Sequence, residues 1–216
     1  MARGNEPGAV GPRPPRRQAT TEALHRAVQE LLEEVGYRAL TIEGVALKAR
    51  VAKTSIYRRW PSKAEMVFDL MLHSSAELPA MDDKGSLTGD IEALSARVVA
   101  LVAGPLGRSI FPGLIADITA DVALMQRFRA TFVTDGRDQI ARVLERSVRR
   151  GDLADASAAA DLQAALIGAA IMLPLLYSEL SEGALQEKIT ALAMAVVDQH
   201  RPDARVGRSA FPHHDR

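Results

Sequence analysis

The residues best equipped for chemistry in this chain lie between positions 53 and 63, in the segment KTSIYRRWPSK. Their hydroxyl, phenol, ammonium and guanidinium groups donate hydrogen bonds that phosphates and base edges accept: Lys53, Thr54, Ser55, Tyr57, Arg58, Arg59 and Lys63. An arginine fork matches the O6 and N7 acceptors of guanine as well as a phosphate. The segment therefore predicts DNA recognition, with Arg58 and Arg59 as readers. A solvated surface charge is the alternative for either arginine alone.

Two short helices joined by a tight turn would place these side chains. Thr41 is a helix N-cap candidate, because its hydroxyl can accept a hydrogen bond from a free backbone N–H in the first turn. Three apolar residues then follow at helical spacing: Ile42, Val45 and Ala46. A second helix is predicted from about Lys53 to Arg59, with Ile56 and Trp60 facing the core. In this helix-turn-helix arrangement one helix braces and the next enters a groove, while Tyr57 and Thr41 clamp the DNA backbone.

The remaining sequence predicts helices throughout. Leu24 to Val35 follows the i, i+3/i+4 pattern, and Gly36 is suited to end that helix. Ser62-Lys63-Ala64-Glu65 has the form of a capping box, so a helix is expected from about Lys63 to Glu77. After a loop at 79–89, five more helices are predicted at about 90–103, 106–118, 122–149, 156–178 and 184–199. The fold class is therefore all-α, with about nine helices.

Residues 20–70 carry a resemblance to a known family. The run consists of GYRALT, a V-A-x-x-A-x-V turn and TSIYRRWPSKAEMV. It resembles the tetracycline-repressor (TetR) family of bacterial transcription regulators, and its IYRRWPSK ending is similar to one large subgroup. The similarity is weaker from about 105 to 180. Two residues depart from the family pattern: Arg50 stands where the turn usually has Gly, and Ala52 stands where a Ser commonly caps the recognition helix.

The charges are distributed unevenly along the chain. Residues 1–63 hold 12 Lys and Arg against 6 Asp and Glu, whereas residues 64–216 hold 15 against 21. A basic head on an acidic body favours DNA docking through the head. There are no cysteines, which excludes disulfides and thiolate metal sites and fits a reducing cytoplasm. No charged start followed by an apolar stretch is present, so no secretory signal is expected.

The composition divides the chain into four parts. Residues 1–18 are rich in Pro, Gly and Arg, which predicts a disordered basic arm. Arg13, Arg16 and Arg17 could reach the minor groove or the DNA backbone; a solvated leader without a role is the alternative. A helix-turn-helix DNA-binding domain is predicted over 19–65 and a helical effector-binding and dimerisation domain over 66–200. Residues 201–216 are predicted to be a flexible tail.

The resemblance implies a homodimer and a ligand. In TetR-like proteins the last two long helices form a four-helix dimer interface; here these would be 156–178 and 184–199. The apolar stretch Ala164–Tyr177 suits such a contact, and it is too short and too interrupted by Pro for a bilayer span. Burial within one subunit is the alternative. The family's helices also enclose a pocket for a small, mostly apolar ligand, with these candidates here: Phe111, Ile115, Met125, Phe128, Phe132, Met172, Leu176 and Tyr177.

For each candidate pocket residue taken singly, ordinary core packing is the alternative. The sequence has no P-loop, no dinucleotide-binding glycine motif, no H-E-x-x-H and no G-x-S-x-G, so it predicts no enzyme. His25 and His73 lack partners at metal spacing, and His213, His214 and Asp215 could at most hold a metal weakly. No cofactor and no resident metal are expected.

The overall prediction is a cytoplasmic, homodimeric transcriptional repressor that reads an inverted-repeat operator. A small ligand would release it from DNA by favouring a dimer whose heads are wrongly spaced for two successive major-groove sites. The alternative is a helical DNA-binding regulator that has no small-molecule effector and is controlled by a protein partner.

Overall fold

The computed structural model describes residues 16–77 and 81–202, and every regular element there is helical. The α-helical segments are α1 Arg16–Ala39, α2 Ile42–Ala49, α3 Lys53–Tyr57, α4 Lys63–Glu77, α5 Leu87–Val98, α6 Pro105–Ala120, α7 Val122–Phe128, α8 Thr134–Arg150, α9 Ala159–Leu176 and α10 Glu182–Asp198. One π-helical turn, Val99–Ala103, continues α5, and another, Arg129–Val133, joins α7 to α8. Counting each π-helical turn with the α-helix or helices that it extends, the described part contains nine helices, which confirms the all-α prediction.

Several helix boundaries differ from the sequence prediction; α9, for example, begins three residues late and ends two residues early, at Ala159–Leu176. α1 begins at Arg16, so the end of the predicted basic arm is helical. α5 begins at Leu87, three residues early, because the hydroxyl of Ser86 caps it by accepting from the N–H of Gly89 at 3.1 Å. α3 ends at Tyr57, two residues early, with a tight turn after it. The rest of the arm, the tail beyond 202 and the histidines at its end lie outside the described residues.

One glycine interrupts α1 where the sequence predicted a helix end, and another caps α8. Gly36 has a φ of 73° and interrupts the helical conformation of α1. Gly151 has a φ of 85° and is the C-cap of α8. Both backbones are in the left-handed region, where glycine carries no steric penalty.

The N-terminal head and the helical body share one hydrophobic core. In the head, α1 packs against α2 and α4, and fully buried Leu24, Val28 and Ile56 join them. In the body, α9 packs against α10 and α8, and α10 also packs against α5. The contact of α1 and α4 with α6 connects head to body. The head is therefore braced directly against the body.

A buried ion cluster connects the loop before α5 to the helices of the body. The sequence pattern did not indicate this cluster. Asp90 has no exposed side-chain surface, and it accepts hydrogen bonds from the Lys84 N–H at 3.0 Å and from Arg150 Nη2 at 2.7 Å. Arg146 Nη2 lies 3.8 Å from the same carboxylate, and its Nη1 donates to the Met81 carbonyl at 2.9 Å. Asp90 raises the pKa of Arg150 through this hydrogen bond. The cluster joins the loop to α5 and α8.

Candidate DNA interface and ligand cavity

The recognition helix α3 is anchored by two buried side chains. Ile56 is fully buried and Trp60 is 4% exposed, so one side of α3 and of the following turn packs against the rest of the head. The opposite side carries exposed Lys53, Thr54 and Tyr57, and Ser55 is partly buried. With only five residues, α3 depends on this anchoring, because isolated short helices are not stable in water.

The two arginines after α3 have different surroundings. Arg58 is exposed, and it forms no side-chain hydrogen bond or ion pair with residues 16–77 or 81–202. Arg59 is half-buried, and its Nη1 donates to the hydroxyl of Thr21 on α1. The Arg58 guanidinium is therefore exposed and unpaired within the described part of the chain, whereas that of Arg59 connects α3 to α1.

The other predicted DNA contacts surround the turn. Thr41 caps α2 by accepting from the Gly44 N–H at 3.0 Å, as predicted, and it is exposed. Lys53 Nζ donates to Glu43 Oε1 at 3.0 Å, which lowers the pKa of Glu43. Lys63 lies in the first turn of α4, and its Nζ donates to the Tyr37 carbonyl at 3.1 Å. The Ser62 hydroxyl accepts from the Glu65 N–H at 3.1 Å, which confirms the predicted cap of that helix.

Two positions in the turn between α2 and α3, 50 and 52, hold residue types that do not suit their backbone conformation or capping role. Arg50 caps α2 with a φ of 54°, and it is the only non-glycine residue with a positive φ among those described. Such a conformation is strained for a side chain with a Cβ. Ala52 is the N-cap of α3, with extended backbone and no side-chain hydrogen bond. Both departures noted in the sequence thus fall on backbone positions where they cost stability.

Replacing Ala52 by serine is expected to stabilise the protein. A serine hydroxyl at the N-cap can accept from a free N–H in the first turn of α3, a change worth about 1 kcal/mol. In a chain of this size that raises the melting temperature by roughly 2–4 °C. Thermal unfolding at fixed protein concentration measures it, with Ala160→Ser as control, because Ala160 is an exposed residue inside the first turn of α9. An unchanged Ala52→Ser melting temperature would contradict the cap assignment.

Head and body are joined at a buried tyrosine. Tyr37 is 3% exposed, and its hydroxyl donates to Asp117 Oδ2 on α6 at 2.5 Å. Burial first, and then the Asp117 carboxylate, raise the pKa of this phenol. The ring fits because Gly113 has no side chain: a Cβ there would lie 2.4 Å from the ring. Lys63 Nζ lies 4.4 Å from the ring centroid. Lys63, at the predicted DNA interface, therefore contacts Tyr37, the residue that connects the head to the body.

A second junction connects α4 to α7. Arg127 pairs with Asp69 at 3.5 Å and with Glu65 at 3.8 Å, and its guanidinium lies over the Phe68 ring. Phe68 contacts Phe128 at a centroid distance of 5.7 Å, and Phe128 stacks on Phe132 at 5.3 Å. These aromatic contacts run from the helix that begins beside the recognition turn into the interior of the body.

A cavity of about 160 Å³ lies at the inner end of this aromatic row. It lies between α4, α5, α8 and α9, and both π-helical turns contribute to it. The apolar wall includes Leu72, Leu94, Leu101, Phe132, Leu166 and Ile167. The polar lining consists of Ser75, Arg97, Asp135, Gln139 and Gln163. Internal π turns are frequent at functional sites, and a mostly apolar cavity with a few polar groups is typical of a small-molecule site.

The structure does not bring the eight predicted pocket residues together. Phe132 lines the cavity, and Phe111 lines a neighbouring one of about 40 Å³. Ile115, Met125 and Phe128 pack against the core outside both. The remaining three lie on the outside of α9, and each is more than 40% exposed: Met172, Leu176 and Tyr177. The prediction selected large apolar side chains, and on α9 it took the outward face for the inward one.

Sequence reasoning missed the polar lining. Asp135, Gly136, Gln139 and Ile140 recur at helical spacing on one side of α8, and that periodicity was the available signal. It does not by itself distinguish a cavity wall from an exposed face, because both are partly polar. The absence of a side chain at Gly136 is also part of the site, since a Cβ there would lie 2.6 Å from Gln163 Nε2.

The histidines are close together without forming a metal site. The rings of His25 and His73 lie 4.7 Å apart, and His25 Nε2 lies 3.4 Å from Asp69 Oδ2. The hydrogen bond with His25, and then the one with Trp60, lower the pKa of Asp69. Within residues 16–77 and 81–202, no group of three or more His, Cys, Asp or Glu side chains could hold a metal ion.

Two family models match most of the chain. "Bacterial regulatory proteins, tetR family" matches residues 24–70, and "Tetracyclin repressor-like, C-terminal domain" matches residues 81–198, which is more than half of the protein. The chain belongs to the TetR family. The helix-turn-helix and the helical body described above are therefore the two domains of a TetR-family transcriptional regulator, a family of DNA-binding proteins.

Several TetR-family relatives are similar in sequence. YdeS of Bacillus subtilis, an uncharacterized HTH-type transcriptional regulator, is 29% identical over 139 residues, 64% of this chain and 70% of YdeS. Rv1556 of Mycobacterium tuberculosis, with the same description, is 30% identical over 61% of this chain and 64% of its own length. The DNA-binding transcriptional repressor TetR of Mycobacteroides abscessus is 29% identical over 63% of this chain and 72% of its own length.

Solved TetR-family structures have the same fold. The regulator SCO0332 superposes with a TM-score of 0.66 at 26% identity, over 85% of this chain and 99% of that chain. A regulator from Mesorhizobium loti superposes with a TM-score of 0.65 at 15% identity, over 87% of this chain and 99% of that one. The latter similarity concerns the fold alone.

The outer face of α9 and α10 is an apolar groove. It is lined by Ala164, Gly168, Met172, Leu173, Leu192 and Ala195, among others. The inward residues Leu162, Leu166 and Ala170 are buried, so the groove lies on the opposite side of α9. α9 is longer than the apolar stretch taken from the sequence, and by length and composition alone its 18 residues are sufficient to cross a membrane. The helices Leu87–Ala103 and Pro105–Ala120, which are bent by 68° relative to each other, together also have the length and apolar composition of a membrane span. Such a result is weak evidence by itself, because core helices of soluble proteins also pass.

Proposed function

We propose that this TetR-family protein is a homodimeric cytoplasmic repressor that binds an inverted-repeat operator and dissociates when a small, mostly apolar ligand enters the body cavity. The cavity of about 160 Å³ between α4, α5, α8 and α9 carries this proposal. A regulator controlled by a protein partner alone needs no such internal space. The cavity therefore favours the ligand-controlled alternative of the two.

The proposed DNA face consists of α3 and the residues around it. Arg58 supplies an uncommitted guanidinium fork for a base edge, and Thr54 and Tyr57 are exposed beside it. Thr41 and Lys63 lie at helix starts, where backbone phosphates are favourable partners. Lys53 reaches DNA once it leaves Glu43, an exposed pair that contributes little to stability. Arg59 acts by positioning the helix through Thr21.

The proposed dimer interface is the groove on α9 and α10. Two copies of this groove facing each other would cover the exposed Met172 and Leu192 of both. Small residues such as Ala164 and Gly168 let helices from two subunits approach closely. A two-fold dimer presents two recognition helices and therefore requires an inverted-repeat operator.

Two contacts would transmit ligand binding to the head. Phe132 belongs to the cavity wall and stacks on Phe128, which contacts Phe68 on α4. Tyr37 connects the end of α1 to Asp117 on α6. A ligand can shift the head only by its differential affinity for the two arrangements, so ligand and operator weaken each other's binding by the same factor.

Selection of bound sequences from random duplex DNA, with purified protein at near-physiological salt, tests the operator part of the proposal. Enrichment of an inverted repeat is expected. The enriched duplex then serves as the probe in a screen for ligands that lower the affinity. Recovery of salt-sensitive binding without any sequence preference would refute the proposed operator recognition.

Arg58→Ala is expected to lower operator affinity by about tenfold to a hundredfold and to relax the preference at one position of each half-site. The substitution removes the Arg58 guanidinium group, which is proposed to bind a base edge. No other described residue forms a hydrogen bond or an ion pair with that group. Gel-shift titration with the selected operator and with single-base variants measures both effects. Arg137→Ala is the control, since Arg137 is an exposed arginine of α8 in the body. Unchanged affinity and preference in Arg58→Ala would refute the assignment of Arg58.

A further inference from the structure

The dimensions and polar groups of the body cavity specify a class of ligand. We propose that the ligand is a neutral molecule with a single aromatic ring and one hydroxyl or carboxamide group; this inference rests on the proposed ligand-controlled function. The volume is the first constraint. An apolar cavity of about 150 Å³ accommodates one benzene molecule. The cavity here, at about 160 Å³, matches one ring with a small substituent.

One amide in the lining is available to a ligand. Gln139 is half-buried on α8, and it forms no hydrogen bond with the residues described. An amide both donates and accepts, so its complement is a ligand group that does the same, such as a hydroxyl or a carboxamide. A toluene-like ligand would leave this amide unpaired, at a cost in affinity.

Gln163 reinforces this preference from α9. Its Nε2 donates to the Val133 carbonyl at 2.9 Å, which fixes the side chain and leaves its Oε1 as an acceptor in the lining. Gly136 makes this position possible, since a Cβ there would lie 2.6 Å from the same nitrogen. A ligand hydroxyl between the two glutamines can therefore donate to Gln163 and pair with Gln139.

The charges of the lining favour a neutral ligand. Arg97 and Asp135 both line the cavity, so the lining carries one cation and one anion. Arg97 already interacts with another group of the protein. A ligand carboxylate would compete for Arg97 and be repelled by Asp135. A ligand ammonium would be repelled by Arg97, and its one attractive partner in the lining, Asp135, is exposed and hydrated. Transfer of either ion from water into a mostly apolar space is costly without a dedicated partner.

Leu101 limits the length of the ligand. Its side chain lines both the 160 Å³ cavity and the 40 Å³ cavity beside Phe111, so it forms the wall between them. Leu101 is only partly buried, and its removal joins two existing spaces. A two-ring molecule should therefore fit poorly in the native protein and better in Leu101→Ala.

Calorimetric titration of the purified protein with toluene, phenol, benzamide, benzoate, benzylamine and 1-naphthol tests the class at pH 7. Phenol and benzamide are expected to bind at least about tenfold more tightly than benzoate and benzylamine, because burying the ions is costly. Phenol should likewise exceed 1-naphthol in the native protein, and Leu101→Ala should narrow or reverse that order. Tighter binding of either charged probe or of 1-naphthol, or binding of none of the neutral single-ring probes, overturns the inference.

Gln139→Leu separates the polar contact from simple space filling. It should weaken phenol by about three- to tenfold, the value of one hydrogen bond, and leave toluene bound as tightly or more tightly. Gln126→Leu is the matched control, since Gln126 is exposed on α7 outside the cavity. Equal loss for phenol and toluene in Gln139→Leu overturns the hydrogen-bonding role.

A parallel operator titration distinguishes failure of this inference from failure of the proposed function. If phenol binds and operator affinity is unchanged, ligand release fails while the ligand class stands. If a charged or larger compound displaces the protein from the operator, the proposed function stands and the ligand class is wrong.

Discussion

Asp90→Ala is expected to lower the free energy of unfolding by about 3–5 kcal/mol, as the loss of one partner from a buried ion pair typically does. The Asp90 side chain is fully buried, and its carboxylate faces two arginines. After the substitution, Arg150 keeps its ion pairs with Asp83 and Asp152. Arg146, in contrast, has no ion pair among the described residues other than the one with Asp90. Its Nε and Nη2 are buried without a hydrogen-bond partner, and Asp90 is the carboxylate nearest to it. Removal of Asp90 thus deprives the buried Nε and Nη2 of Arg146 of their nearest carboxylate.

Denaturant unfolding of wild type and Asp90→Ala at equal protomer concentration measures the loss, because dimer stability depends on concentration. Asp82→Ala is the matched control: Asp82 is exposed in the same loop, and its loss should change stability by no more than about 0.5 kcal/mol. The double variant Asp90→Ala/Arg146→Ala should recover part of the loss, since no unpaired guanidinium then remains. Equal stability of Asp90→Ala and Asp82→Ala would show that the cluster is dispensable.

The same cluster bears on the cavity. Arg146 holds the carbonyl of Met81, whose side chain lines the cavity. Loosening the loop would therefore displace one wall of the cavity. Asp90 was not recognised in the sequence because a single Asp near a helix start normally needs no partner beyond the helix itself.

The helices could be predicted because local signals determine them. Thr41 and Ser62 cap helices as their sequence context indicated, and Arg50 lies at the αL position where the family usually has glycine. Caps and turns act within a few residues, so a single sequence contains the necessary information.

The cavity in the body could not be predicted to the same degree, because it depends on contacts between distant helices. α9 is apolar on all sides, so its sequence does not tell which side faces inward. Packing against α8 and α10 determines which side of α9 is buried. As a result, Leu166 faces the core and Met172 lies on the outer surface. Arg59 illustrates the same limit at the DNA interface, since its partner Thr21 lies 38 residues earlier.

Gly168→Glu is expected to dissociate the dimer and, as a consequence, to lower affinity for a full inverted repeat. Gly168 lies in the groove on α9 and α10, and a Cβ there would have no heavy atom within 4 Å. The single subunit therefore accommodates the new side chain, and glutamate is also a better helix former than glycine. In the proposed dimer, the new carboxylate of each subunit would be buried in an apolar contact, which should weaken association by about a hundredfold or more.

Sedimentation analysis across a protein dilution series, together with gel-shift titrations on the inverted repeat and on an isolated half-site, measures this effect. Gly183→Glu is the matched control, since Gly183 also has open space around it and lies outside the groove, in the first turn of α10. Affinity for the half-site should be equal in both variants, because the recognition helix is untouched. A Gly168→Glu protein that remains dimeric at high dilution would refute the groove as the interface. Dissociation without loss of affinity for the inverted repeat would instead show that each head reads its half-site independently of its partner.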